Sequence, residues 1–79
     1  MRKALIVDDH PFIRRVVRLV LENANFQIAA ETDNGASALD LAREHIPHLI
    51  VLDLSMPKLD GLEVLKRLHI LGLTIKVLV

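Results

Sequence analysis

Two neighbouring carboxylates close the first apolar run of the chain, and a third lies near the end of a later one. Asp8 and Asp9 follow Leu5–Val7, and Asp53 interrupts the aliphatic segment Leu49–Leu54. A carboxylate beside apolar residues is costly unless it is paired or binds a cation. Oxygen ligands of this kind suit a hard divalent ion such as Mg²⁺, which often binds beside a phosphoryl group.

A carboxylate held next to such an ion can react with phosphorus, because the ion offsets the charge that repels a phosphoryl donor. These residues therefore indicate a metal-assisted aspartyl phosphate. The structural alternative is that Asp8 and Asp9 cap a helix, but the third carboxylate favours the metal site. His10, directly before Pro11, is expected to be a cap or a surface residue rather than a ligand.

Alternating strand and helix patterns must position these carboxylates. Aliphatic runs predict four strands, at Lys3–Val7, Phe26–Ala30, Leu49–Leu54 and Ile75–Val79. Apolar stripes between them predict three helices. Their expected beginnings are Pro11 at a first turn, Asn34 as an N-cap, and Asp60 in a capping box with Glu63.

The order β-α-β-α-β-α-β predicts an α/β fold with a parallel sheet covered by helices on both faces. Right-handed crossovers allow the strand order 2-1-3-4, with the first helix on one face and the other two on the opposite face. The first and third strands then meet at the topological switch point, where such sheets bind ligands. We therefore expect Asp8, Asp9 and Asp53 to converge in one pocket.

Composition limits the classes of protein that the chain can represent. Its 79 residues form at most one small domain, and ten basic residues balance ten acidic ones, so no electrostatic footprint for nucleic acid or an anionic membrane is present. Arg14, Arg15 and Arg18 are expected to form a solvated helix face. No cysteine, signal peptide or membrane-length apolar run occurs, and we expect a soluble, cytoplasmic protein.

The motifs resemble the signature of the receiver domain of two-component response regulators. The resemblance rests on Val7–Pro11, on Leu52–Asp53 and on Met56–Gly61, and it covers the whole chain. The His-Pro pair after the acidic pair is typical of the subfamily with a LuxR-type helix-turn-helix output. The resemblance implies a flavodoxin-like, doubly wound sheet.

By resemblance, Asp53 accepts the phosphoryl group from a histidine kinase. Asp9 would bind Mg²⁺ directly, Asp8 mostly through water, and the backbone carbonyl of Ser55 would be a third protein ligand. The family also implies a signalling domain that regulates transcription through a DNA-binding output domain. Its chemistry is at most self-catalysed phosphotransfer and dephosphorylation, so we do not expect an enzyme.

A complete receiver, by resemblance, has five strands and five helices, whereas this sequence stops at Val79. We expect residues 1–79 to be a partial receiver without its output domain, lacking the family's hydroxyl and lysine. Weak Mg²⁺ binding and poor phosphorylation are then expected. Hydrophobic residues make up 52% of the chain, which predicts a homo-oligomer formed through an exposed sheet edge and an uncovered sheet face.

Two alternatives to the receiver remain at this point. A haloacid-dehalogenase-like phosphohydrolase also has a nucleophilic Asp at a strand end, but it usually carries a second Asp two residues later, where this chain has Ser55. The other alternative is an inactive structural or oligomerising fragment with an idle acidic pocket. Binding of Mg²⁺ that weakens in Asp53→Asn would favour the receiver over the idle fragment.

Overall fold

A computed structural model describes residues 2–53, 61–70 and 76–78 of the chain. Strands and helices alternate along it, as the sequence predicts. They are β1 (Arg2–Val7), α1 (Pro11–Asn23), β2 (Phe26–Thr32), α2 (Gly35–His45), β3 (Leu49–Leu52), α3 (Gly61–Ile70) and β4 (Lys76–Leu78).

The described strands form one parallel sheet in the order β2-β1-β3-β4, which confirms the predicted topology. Val7 of β1 lies opposite Leu52 of β3 in this sheet. The residues that follow them, Asp8 and Asp53, therefore leave the sheet side by side at its carboxyl edge.

Helices cover both faces of the sheet in the predicted arrangement. On one face, α2 and α3 enclose the larger core cluster of buried residues, which comprises Leu5, Val7, Ala38, Leu39, Ala42, Ile50, Leu52, Val64 and Leu68. On the other face, α1 packs against a smaller cluster of Ala4, Ile6 and Leu21. The alternation of β1 residues between the two clusters is what a strand buried on both faces requires.

A β-bulge interrupts the pairing of β1 with β2. Ala4 lies opposite Ile28, whereas the next residue, Leu5, lies opposite Ala30, so Ala29 is skipped in the register. An extra residue of this kind shifts the alternation of every later side chain in its strand.

The bulge changes the sheet face to which the end of β2 belongs. Phe26 and Ile28 pack with the α1-side cluster, whereas Ala30, two residues further on, packs with the α2/α3-side cluster. Glu31 pairs in register with Ile6, which belongs to the α1-side cluster. The acidic end of β2 is therefore presented to α1.

The ends of the strands differ from the predictions by one or two residues. β2 continues through Thr32 instead of ending at Ala30, because its last two residues pair with β1. β3 ends at Leu52 and not at Leu54, and Asp53 follows it directly. β4, at Lys76–Leu78, lies inside its predicted range.

Capping residues define both ends of α2. Asn34 is its N-cap, as predicted, and its side chain accepts a hydrogen bond of 2.8 Å from the backbone N–H of Ser37. The helix ends at His45, and its C-cap residue Ile46 adopts the left-handed conformation with φ 44°. Pro47, which follows, cannot continue a helix.

The apolar stripe predicted for α1 is only partly buried. Val17 and Leu21 pack in the core, whereas Ile13, Val16 and Val20 are exposed. Together with two further exposed residues these side chains form what we call the α1 apolar face, which consists of Phe12, Ile13, Val16, Leu19 and Val20.

Some predictions fall outside the described residues. These are the backbone carbonyl of Ser55, the capping role of Asp60 and the helix end at Gly72. Among the residues that the structure does describe, no helix is both long enough and apolar enough to cross a membrane.

Candidate functional site

The sheet itself brings the three predicted carboxylates together. The backbone N–H of Asp53 donates to the carbonyl of Val7 at 2.9 Å, and that of Asp8 donates to the carbonyl of Thr32 at 3.1 Å. These bonds continue the strand ladders by one residue. Asp8, Asp9, Asp53 and His10 consequently each offer a ligand atom, and all four atoms lie within 4.8 Å of one another.

Asp8 is fixed by the turn between β1 and α1. Its Oδ1 atom accepts a hydrogen bond of 2.8 Å from the backbone N–H of His10, which is a local side-chain turn of the type that Asp favours. The same oxygen lies 2.9 Å from Nδ1 of the His10 ring. The Asp8 side chain is 13% exposed, and these contacts fix it in the turn.

The ring of His10 lies among the carboxylates, although 61% of its side chain is exposed. Its Nδ1 atom is 2.9 Å from Oδ1 of Asp9 and 3.6 Å from Oδ2 of Asp53. The hydrogen bond with Asp8, together with the negative charge of Asp9, raises the pKa of His10 above its ordinary value. All three carboxylates therefore interact electrostatically with the His10 ring.

Neither member of the acidic pair caps α1. The N-cap residue is His10, whose side chain makes no capping hydrogen bond, and its carbonyl accepts the first helical bond from Arg14 at 3.0 Å. Expecting His10 to be a cap was right for its backbone. Its ring contacts were missed, because the order Asp-Asp-His-Pro does not reveal the direction of the side chain.

Asp9 has an atom suited to a cation. Its Oδ1 is buried and makes no hydrogen bond among the described residues, although Nδ1 of His10 lies 2.9 Å from it. A buried carboxylate oxygen of this kind is expensive unless a positive group satisfies it. The donor set of three carboxylates therefore fits a hard divalent ion.

Arg14 ties the acidic turn to the edge of the sheet. Its Nη1 donates to the backbone carbonyl of Asp8 at 2.7 Å, and its Nε lies 3.5 Å from Oε1 of Glu31. Arg18 also forms an ion pair with Glu31. The predicted solvated face is thus wrong for Arg14, which is half-buried beside the acidic partner that the bulge in β2 presents, whereas Arg15 and Arg18 are exposed as expected.

The fold and the acidic cluster together define the class of protein. The chain belongs to the response regulator receiver domain family, which matches residues 4–79. This membership favours the receiver over the phosphohydrolase alternative, and it agrees with the motifs quoted above.

Individual relatives make the similarity more specific. The chain is 56% identical to the virulence-factor transcription regulator BvgA of Bordetella pertussis over 77 residues, which are 98% of this chain and 37% of that protein. It is 39% identical to the chemotaxis protein CheY of Bacillus subtilis over 66 residues, 84% of this chain and 55% of CheY. The chain thus spans between about a third and about half of the length of these curated relatives.

Solved structures share the same fold. A DNA-binding response regulator of the LuxR family from Staphylococcus aureus superposes with a TM-score of 0.89 at 37% identity, covering 98% of this chain and 65% of that one. The response regulator MaeR bound to beryllium trifluoride gives a TM-score of 0.90 at 26% identity, covering 99% of this chain and 65% of MaeR. Similarity to BvgA and to a LuxR-family regulator supports the predicted LuxR-type subfamily.

Proposed function

We propose that this chain is the phosphoacceptor part of a two-component signalling protein and that Asp53 accepts a phosphoryl group from a histidine kinase. The observation that carries the proposal is the convergence of Asp8, Asp9 and Asp53 within 4.8 Å at the carboxyl edge of a receiver fold. In open α/β sheets this edge is where ligands bind. A phosphoryl donor would approach the exposed side of this cluster.

The same carboxylates would hold Mg²⁺. Asp9 is suited to a direct contact because its Oδ1 makes no hydrogen bond among the described residues, and Asp8, whose Oδ1 already faces two nitrogens of His10, is suited to a contact through water. The carbonyl of Ser55 is the further ligand implied by the family resemblance. When bound, the ion would neutralise negative charge on the phosphoryl oxygens.

Asp53 is the best placed of the three carboxylates to act as the nucleophile. Asp8 is held by its turn and Asp9 has a buried oxygen suited to the cation, so Asp53, which directly follows β3, remains as the nucleophile that the family resemblance implies. In the proposed step, one carboxylate oxygen of Asp53 forms a bond to phosphorus while the bond between phosphorus and the donor's imidazole nitrogen breaks. The electron pair of that bond returns to the donor nitrogen, and an acyl phosphate remains on Asp53.

The output and partners belong to the same proposal. Similarity to the transcription regulator BvgA and to a DNA-binding LuxR-family regulator supports control of transcription through a DNA-binding segment outside these 79 residues. A cytoplasmic location would fit this role. We also propose that the chain forms a homo-oligomer.

The test is to compare Asp53→Asn with Asp40→Asn, a matched change at an exposed position of α2. Calorimetry with Mg²⁺ and intact-mass spectrometry after incubation with acetyl phosphate are the measurements. Wild type and Asp40→Asn should bind Mg²⁺ and gain one phosphoryl group. Asp53→Asn should gain none, and it should bind Mg²⁺ more weakly because one carboxylate charge is lost.

A second measurement separates binding at the site from the rate of transfer. Beryllium fluoride, a mimic of a phosphoryl group, should bind in the presence of Mg²⁺ and give a bound ¹⁹F NMR signal that Asp53→Asn lacks. Equal labelling of Asp53→Asn and wild type would show that another residue accepts the phosphoryl group. A wild-type chain that binds no Mg²⁺ would support the idle-fragment alternative.

A further inference from the structure

The feature that the proposed phosphotransfer does not use is the imidazole of His10. Its Nδ1 atom is directed into the acidic cluster, 2.9 Å from Oδ1 of Asp8 and 2.9 Å from Oδ1 of Asp9. Oδ2 of Asp53 is 3.6 Å away. One nitrogen therefore lies within 3.6 Å of an oxygen of each of the three carboxylates.

The spacing of these four atoms is close to that of a metal coordination shell. Two atoms bound to one ion at about 2.1 Å can be at most about 4.2 Å apart. The nitrogen of His10 and the three carboxylate oxygens already lie within 4.8 Å of one another. A small contraction would bring all four to bonding distance of a common centre.

The backbone keeps the His10 ring at this position. The N–H of His10 is bonded to Asp8, and its carbonyl accepts from Arg14 as the start of α1. Pro11 begins the helix and restricts the backbone before it. The ring is therefore attached to an ordered turn, although 61% of the side chain is exposed.

Another histidine shows what a structural role looks like in this fold. Nδ1 of His48 accepts a hydrogen bond of 3.0 Å from the backbone N–H of Lys3, and the N–H of His48 donates to the carbonyl of Lys3 at 2.9 Å. That ring nitrogen completes a strand pairing. The corresponding nitrogen of His10 faces only ionisable oxygens.

We propose that His10 is a metal ligand through Nδ1 and that it gives this site a preference for transition-metal ions over Mg²⁺. The proposal rests on the proposed function, since it requires that the acidic cluster binds a divalent cation. An imidazole nitrogen suits Zn²⁺ and Ni²⁺, whereas Mg²⁺ prefers oxygen ligands and retains several waters. His10 would thus set which ion occupies the phosphorylation site.

The experiment compares metal affinities of the wild-type chain, His10→Asn and His69→Asn. Asn replaces the nitrogen ligand by an amide oxygen and nitrogen, and His69 is an exposed residue of α3 that provides the matched control. Calorimetry with Zn²⁺ and with Mg²⁺ gives the ratio of the two affinities. Replacing His10 should weaken Zn²⁺ binding by at least roughly 10-fold, since loss of a group that only orients a ligand already costs roughly 10–100-fold, and should weaken Mg²⁺ binding less, because Mg²⁺ prefers oxygen ligands.

A structural readout accompanies the affinities. In long-range ¹H–¹⁵N NMR spectra, Zn²⁺ should shift the Nδ1 resonance of His10 and leave that of His69 in place. An unchanged ratio of Zn²⁺ to Mg²⁺ affinity in His10→Asn, with Mg²⁺ still bound, would overturn the role of His10 and leave the proposed function intact. Failure of the wild-type chain to bind either ion would overturn both proposals.

Discussion

At the scale of single residues, Arg14 supports the turn that carries two of the carboxylates. Its guanidinium contacts the backbone of Asp8 and the side chain of Glu31, so it joins the end of β1 to the end of β2 across the start of α1. Its side chain is only 21% exposed. A partly buried charged donor of this kind contributes more than a surface ion pair does.

We therefore expect Arg14→Ala to lower the free energy of unfolding by about 1–2 kcal/mol, the order of a hydrogen bond made by a charged group. It should also weaken Mg²⁺ binding, because the turn that carries Asp8 and Asp9 loses its anchor. Urea unfolding and calorimetry are the measurements. Arg15→Ala, at the exposed neighbouring position, is the control and should stay within about 0.5 kcal/mol of wild type.

The result would contradict this role of Arg14 if both alanine variants behaved alike. In that case the contacts of the guanidinium would contribute no more than an exposed side chain does. If Arg14→Ala lost the expected stability but kept the Mg²⁺ affinity of wild type, Arg14 would stabilise the fold without supporting the metal site.

At the scale of elements, the C-cap of α2 contains an unfavourable backbone conformation. Ile46 has φ 44° and ψ 62°, a left-handed conformation that costs a β-branched residue roughly 1–2 kcal/mol. Asn25, after α1, also has a positive φ, of 68°, but Asn tolerates this region better. Ile46 is more than half exposed, so its side chain recovers little of the cost by packing.

Replacing Ile46 by Gly should therefore stabilise the fold. We expect Ile46→Gly to raise the free energy of unfolding by about 0.5–1 kcal/mol, which is the relieved strain less the entropy that Gly loses on folding. Val16→Gly is the matched control, since Val16 is an exposed β-branched residue in the interior of α1. That variant should lose stability by about 0.5–1 kcal/mol in the same urea titration, and a loss in both variants would argue against strain at Ile46.

The elements and the carboxylate cluster were largely predictable from the sequence, whereas their side-chain partners were not. Periodicity and chain direction fix that Asp8 and Asp53 follow neighbouring parallel strands, so their meeting follows from the topology alone. The pairing of Arg14 with Glu31 depends on a skipped residue in β2, and the contacts of His10 depend on the direction of its ring. Neither register nor rotamer leaves a periodic signal in a sequence.

At the scale of the whole molecule, the α1 apolar face is an exposed apolar surface that the proposed phosphorylation site does not use. Its five exposed apolar side chains lie on one helix, whereas the opposite sheet face is covered by two helices. β4 is the outer strand on one side of the described sheet. Both features fit the predicted homo-oligomer, with a second copy of the chain as the partner.

We expect light scattering to detect a dimer or larger species of the wild-type chain at micromolar concentration. Val20→Glu should shift it towards the monomer, because a charge in the α1 apolar face cannot be buried in an interface at low cost. Leu62→Glu, at an exposed apolar position of α3, is the control. A wild-type monomer, or equal dissociation by both variants, would count against association through this face.

The β-bulge between β1 and β2 also bears on how this strand can change in related chains. Because Ala29 is skipped, the residues before and after it follow the two-residue alternation in opposite phase. Loss of one codon at this point would restore a regular pleat and leave Glu31 facing α1, because Ile28 and Glu31 would then be two residues apart, whereas a change of the residue itself leaves the bulge in place. In alignments of β2, an odd spacing between the residues equivalent to Phe26 and Glu31 therefore indicates that the bulge is present, and an even spacing indicates a regular strand.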